Sequence, residues 1–182
     1  IFYFPLIFVE RGGLEEWIGI AASVSTILLL IFLPPLGRKA DNTGRRLPLL
    51  TFGLGGMALS LVVLAYIFES TSLMSITIQI LVLIIYIFFQ LCFQSSVSVY
   101  SSLLRALSSE NNSVAISGRG FALGQLGNVI ALALLSPLVA SGAVVLGLAG
   151  KPLALVVGAL LSIGLGLPFL IMGKEVGEKK EN

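Results

Sequence analysis

Apolar residues come in long blocks along the chain, separated by short charged clusters. No Asp, Glu, Lys or Arg occurs in the runs 17–37, 47–68, 70–104, 120–150 and 152–173. Each run is long enough to cross a bilayer, because about 20 residues at about 1.5 Å rise span an apolar core of about 30 Å. The pattern predicts an all-α membrane protein with helices over 16–36, 47–68, 73–99, 116–140 and 152–172. A shorter apolar stretch, residues 1–9 of "IFYFPLIFVE", ends at Glu10 and would cover roughly 14 Å as a helix, too little to span alone. With no initiator Met and no basic segment before it, this stretch reads as the end of a truncated transmembrane helix and not as a signal peptide. The chain is accordingly expected to be a fragment, with 1–172 forming an amino-terminal bundle and 173–182 beginning a cytoplasmic linker.

Composition agrees with the pattern. Of 182 residues 57% are hydrophobic and 11% charged, the latter about half the share of an average soluble domain. There is no His, hence no histidine metal or catalytic site, and the lone Cys92 lies inside an apolar run, where a buried free thiol is expected.

Charge then orients the helices. Alternation puts 37–46, 100–119 and the tail from 173 on one side, with Arg38, Lys39, Arg45, Arg46, Arg105, Arg119, Lys174, Lys179 and Lys180. The other side carries only Arg11 and Lys151. Basic residues concentrate in cytoplasmic loops, so the first set is expected inside and the stub runs outward.

Orientation alone does not require the spacing in "GRKADNTGRR" (37–46). Gly37, Asp41 and Gly44 precede Arg45 and Arg46. Glycines let two helices turn closely, and an aspartate at a helix end accepts hydrogen bonds from arginines or from an opposing helix N-terminus. The residues suit a charged latch between helix ends; a purely topogenic basic loop is the alternative reading.

The pattern Gly-x-x-x-Asp-x-x-Gly-Arg-Arg between the second and third spans resembles the loop signature of the major facilitator superfamily. A second stretch, 99–135, resembles the long fourth-to-fifth-helix segment of its vacuole-effluxer-like branch, also called the unknown major facilitator family, through Tyr100, Leu103, Leu104, Ser117, Gly118, Gly120, Ala122, Leu123, Gly124 and Gly127. The chain departs from that branch at Ser101, Ser102, Arg105 and Gln125. The resemblance implies the first six-helix half of a secondary transporter of roughly twelve helices, its first helix truncated, moving small polar metabolites, amino acids among them, across the plasma membrane of a prokaryote. Its implied partners are the lipid bilayer, a missing carboxy-terminal half and a small-molecule substrate, without nucleic acid, cofactor or metal. The amino half of a sugar or drug porter is the alternative within transport. A non-transporting membrane scaffold or enzyme is the alternative outside it.

Within the spans the polar residues are few. Ser75, Gln79, Tyr86 and Gln90 fall within about 60° of one another at about 100° per residue, with Gln94 about a turn further on. Such a stripe, about 22 Å tall from Ser75 to Gln90, is costly against lipid and is expected to line a cavity or to bond neighbouring helices. The resemblance favours the cavity. In the fifth span Gly120, Gly124 and Gly127 have a spacing that permits close helix packing, while Gln125 and Asn128 are amides in need of partners and, with the stripe from Ser75 to Gln94, are the candidates to line a substrate cavity. Ser23, Ser25 and Thr26 can bond back to their own helix. No charged residue lies deep in a complete span, so proton coupling would use residues elsewhere. No phosphate loop, metal cluster or nucleophile paired with a base is present, and no catalytic residue is assigned.

Overall fold

The computed structural model describes residues 3–43, 47–107, 113–142, 144–145 and 147–178. They form six helices and one small hairpin: α1 (Tyr3–Glu10), α2 (Glu15–Thr43), α3 (Leu47–Ser70), α4 (Ile76–Leu107), α5 (Ser113–Ala140), β1 (Val144–Val145), β2 (Leu148–Ala149) and α6 (Gly150–Glu178). Among the described residues four helices are long and apolar enough to cross a membrane, over Glu15–Arg38, Pro48–Ser70, Ile76–Val99 and Gly118–Pro137. In α6 the described residues carry an apolar stretch over Gly150–Gly164. The protein is thus mostly helical and has the character of an α-helical membrane protein.

Several helices outrun the sequence expectation. α2 continues past 36 through Gly37 to Thr43, although Pro34 and Pro35 lie inside it. A single glycine costs a helix only about 1 kcal/mol, and Arg38, Lys39 and Ala40 favour the helical state. Most of the expected 37–46 loop is therefore helix. For the same reason α4 runs on to Leu107 through Leu103, Leu104, Arg105 and Ala106, so the connection expected over 100–119 is helical at both ends. α6 likewise extends beyond 172.

The hairpin departs from an all-helical chain. Val144 pairs with Ala149 and Val145 with Leu148 in antiparallel register. Gly142 and Gly147 adopt positive φ, which ends the helix and turns the strand, and β-branched Val144 and Val145 suit the extended segment between them.

α3 occupies the centre, packed against α4 on one side and α6 on the other, while α2 packs on α4. Phe68, Ala65 and Leu64 are fully buried there with Phe4 and Phe8 of α1, Val82 and Phe89 of α4, and Leu148 of β2. The α3–α4 seam is tight because a Cβ on Gly53 would stand 2.2 Å from the Ser96 hydroxyl and 3.0 Å from the Cys92 carbonyl; one on Gly56 would meet the Cys92 sulfur at 2.6 Å. Cys92 is the buried free thiol its context implied. The buried hydroxyls of Ser25, Ser60 and Ser96 donate to carbonyls four residues back, Ala21, Gly56 and Cys92, and none is left unpaired among the described residues. Ser23 and Thr26 bond back likewise, as their positions suggested.

One end of the bundle is fastened by polar contacts between its turns. The Arg11 guanidinium donates to the Thr71 carbonyl at 2.6 Å, and the Met74 amide donates to the Arg11 carbonyl at 3.0 Å. Lys151 pairs with Glu10, and the Ala149 amide donates to Glu69. The α1–α2 turn, the α3–α4 turn and the hairpin before α6 thus meet at the same end, as helix alternation requires.

Candidate functional site

The polar residues of α4 share a face by helical periodicity, but three kinds of surroundings divide them. Nearest the fastened end, Ser75 precedes the helix and its carbonyl accepts from the Gln79 amide. The Gln79 side chain donates to the Gly12 carbonyl at 3.2 Å and to the Met74 carbonyl at 3.1 Å. Gln79 therefore ties α4 to the α1–α2 turn, where Gly12 takes a positive φ of 86° that few other residues adopt. This is the fastening expected of interhelical glue.

Further along, Tyr86 is buried under α1. Its ring stacks on Phe4 with centroids 4.2 Å apart and planes 5° from parallel, and Phe4 also meets Phe8 and Phe68. On α4 itself Phe89 and Phe93 continue the stack. Half-buried Gln90 donates to the Tyr86 hydroxyl at 3.0 Å, satisfying two polar groups that hydrocarbon would leave costly. In this conformation the Tyr86 ring is buried beneath Phe4. Gln94, the next polar residue, is exposed.

The amides of α5 sit in the open. Asn128 donates to Gln125 at 3.5 Å, and both are exposed. Gly124 and Gly127 do not make the packing expected of them here: a Cβ on either would meet nothing within 4 Å, while Gly120 is half-buried. The close glycine packing lies instead on α3, at Gly53 and Gly56. The sequence signal was present, since Gly53, Gly56 and Ser60 fall on one helical face, small residues of the kind that admit a neighbour.

Of the expected latch, Gly37 lies within α2 and a Cβ there would meet open space. Asp41 is on the last turn of α2; its side chain, with Gly44, Arg45 and Arg46, lies outside the described residues. The position of Asp41 on α2 and the polar face of α4 are at different levels of the bundle. Since α4 runs parallel to α2 away from the fastened end, Tyr86 lies about ten residues, roughly 15 Å, into its helix and Asp41 about 26 residues, roughly 39 Å, into its own.

An apolar cleft lies elsewhere, between α2, α3 and α4, with Phe88, about 160° around the helix from Tyr86, in its lining. The arrangement on the polar face offers hydroxyl and amide groups for hydrogen bonding, with no ionisable pair for acid–base chemistry. Among the described residues no cluster of three His, Cys, Asp or Glu side chains could hold a metal ion. No family model matches this chain, and neither a curated protein nor a solved structure matches it.

Proposed function

We propose that this chain forms one half of a secondary transporter that moves small polar metabolites, amino acids foremost, through a prokaryotic plasma membrane by alternating access. One observation carries the reading: Gln94 on α4 and the Gln125–Asn128 pair on α5 stand on surfaces of membrane-length helices that this bundle leaves uncovered. An amide facing lipid loses its water partners at about 1–3 kcal/mol by protein measurements, and the long Asn128–Gln125 bond replaces them only in part. Such faces are stable beside a water-filled path or a second bundle. Two bundles rocking about a midplane path supply both.

The Gly37–Arg46 segment supports the same reading, since an acid and two arginines at a helix turn suit a contact made in one access state and broken in the other. Tyr86 and Gln90 are the proposed solute contacts, exposed when α1 moves off the ring. The basic end is assigned to the cytoplasm.

Asp41→Asn in the full-length protein tests the proposal. Uptake is expected to fall by about tenfold, within the usual range of coupling energies, while expression and insertion hold. Cysteines at Gln94 and Asn128 are expected to react with hydrophilic thiol reagents. Undiminished uptake by a well-expressed Asp41→Asn protein would return the segment to a topological role, and unreactive cysteines would remove the path.

A further inference from the structure

Two adjacent prolines, Pro34 and Pro35, lie inside α2, which stays helical from Glu15 to Thr43. A proline nitrogen has no hydrogen to donate, so the carbonyls four residues back, those of Leu30 and Ile31, lose their usual helical partners. Gly37, two positions on, adds the least restrained backbone of any residue. The hydrogen-bond ladder of α2 is thus weakest over 30–37, and the helix resumes beyond it. Its surroundings hold this stretch loosely: Pro34, Pro35 and Leu36 are exposed, a Cβ on Gly37 would meet nothing within 4 Å, and α2 hardly touches α3.

Helical geometry gives the weak stretch a direction. At about 100° per residue the two rings together point about 160° around α2 from the mean direction of Leu29, Phe32, Leu33 and Leu36, which line the cleft facing α3. Each ring presses on the carbonyl one turn back and spreads the helix on its own side, so a bend goes away from the rings and toward the cleft. The cleft leaves room for it, with about 220 Å³ of space and Leu49 and Phe52 of α3 as the opposite wall. From Leu33 to Thr43 is about ten residues, roughly 15 Å, so a bend of about 20° carries the end of α2 about 5 Å.

We propose that α2 is hinged at Pro34 and Pro35, and that its end, residues 36–43, swings between the position in this structure and one closed over the cleft against α3. In a bilayer the swing exchanges lipid for apolar Leu49 and Phe52. Between helices in lipid there is no hydrophobic driving force, so neither position gains much over the other. Arg38 and Asp41 travel with the helix end, which gives the bundle two placements of these charges. This inference does not rest on the transport reading.

Double electron–electron resonance on the 182-residue chain in phosphatidylcholine vesicles tests the hinge. In a Cys92→Ser background, spin labels are placed on Thr43→Cys, at the end of α2, and on Leu167→Cys, exposed on α6. Because α6 packs on α3 and hardly touches α2, their separation falls as the end of α2 nears α3. Two populations are expected, separated by up to about 5 Å. Pro34→Ala together with Pro35→Ala restores both N–H groups and is expected to leave the longer distance alone. Ser95→Phe, which fills the cleft from α4, is expected to abolish the shorter one. Labels on Ile27→Cys, exposed on the near side of the prolines, and Leu167→Cys are expected to give one population in every variant. A single distance from Thr43 to Leu167 with both prolines present, two distances that survive the double alanine variant, a shorter distance that survives Ser95→Phe, or two populations from Ile27 would each overturn the proposal.

Discussion

α3 and α5 are made of similar material and sit in opposite surroundings. Both are apolar, and both carry several glycines in their first half. On α3 Phe68 and Ala65 are wholly buried, and Gly53 and Gly56 let α4 approach to where a methyl group would collide. On α5 Leu123 and Leu134 are 68% and 70% exposed, and Gly124 and Gly127 face open space. The difference teaches that small residues at helical spacing only permit close packing. What decides is whether a complementary surface stands opposite, as Cys92 and Ser96 of α4 do for α3. Bare apolar surface alone would suit lipid; the Gln125–Asn128 pair on α5 is what lipid does not explain.

The largest contrast is expected from truncating one apolar side chain on each helix. Phe68→Ala removes a ring buried against Phe4, and a loss of about 3–5 kcal/mol is expected, whereas Leu134→Ala should stay within about 0.5 kcal/mol. Unfolding by denaturant in detergent micelles measures both. Equal losses would mean that α5 is packed in solution and that the contrast between the helices is false.

Glycines sharpen the comparison at smaller scale. Gly53→Ala forces a methyl group onto Ser96 and the Cys92 carbonyl, with about 1–3 kcal/mol lost, as overpacked cores show. Gly124→Ala meets nothing and removes chain entropy, so it is expected to be neutral or stabilising by up to about 1 kcal/mol. The same unfolding measurement separates them, and a destabilised Gly124→Ala protein would place a partner against α5 already in this chain.

The smallest effect belongs to the fastened end. Glu10→Gln breaks the pair with Lys151, in which Glu10 is more than half exposed. Screened by solvent, that pair is worth about 0.2–1 kcal/mol. A loss several times larger would make the turns at this end, and not α3, the mainstay of the bundle.

Much of this architecture was legible as charge-free runs, because crossing a bilayer demands length and apolarity more than any particular residue. The ends of the helices were less so. Gly37 suggests a break, yet Arg38, Lys39 and Ala40 carry the helix through it to Thr43. Period also identified the face shared by Gln79, Tyr86 and Gln90, but not its division, since the partners come from far along the chain: Gly12 for Gln79 and Phe4 for Tyr86. Phe4 and Phe8, one turn apart in the opening stretch, were a signal that this short helix has a packed face. The glycines of α5 drew attention that belonged to α3, because sequence spacing records a helix face and not what lies across from it.

Sidedness is the central claim of the proposed transporter topology, and selective thiol labelling tests it most directly. In a Cys92→Ser background, single cysteines are placed at Thr43, Ser113 and Glu15 in intact cells and labelled with a reagent that does not cross the membrane. The distribution of Lys and Arg predicts that Glu15→Cys is labelled from outside, and that Thr43→Cys and Ser113→Cys are labelled only after the membrane is opened. Labelling of Thr43→Cys from outside would contradict the account.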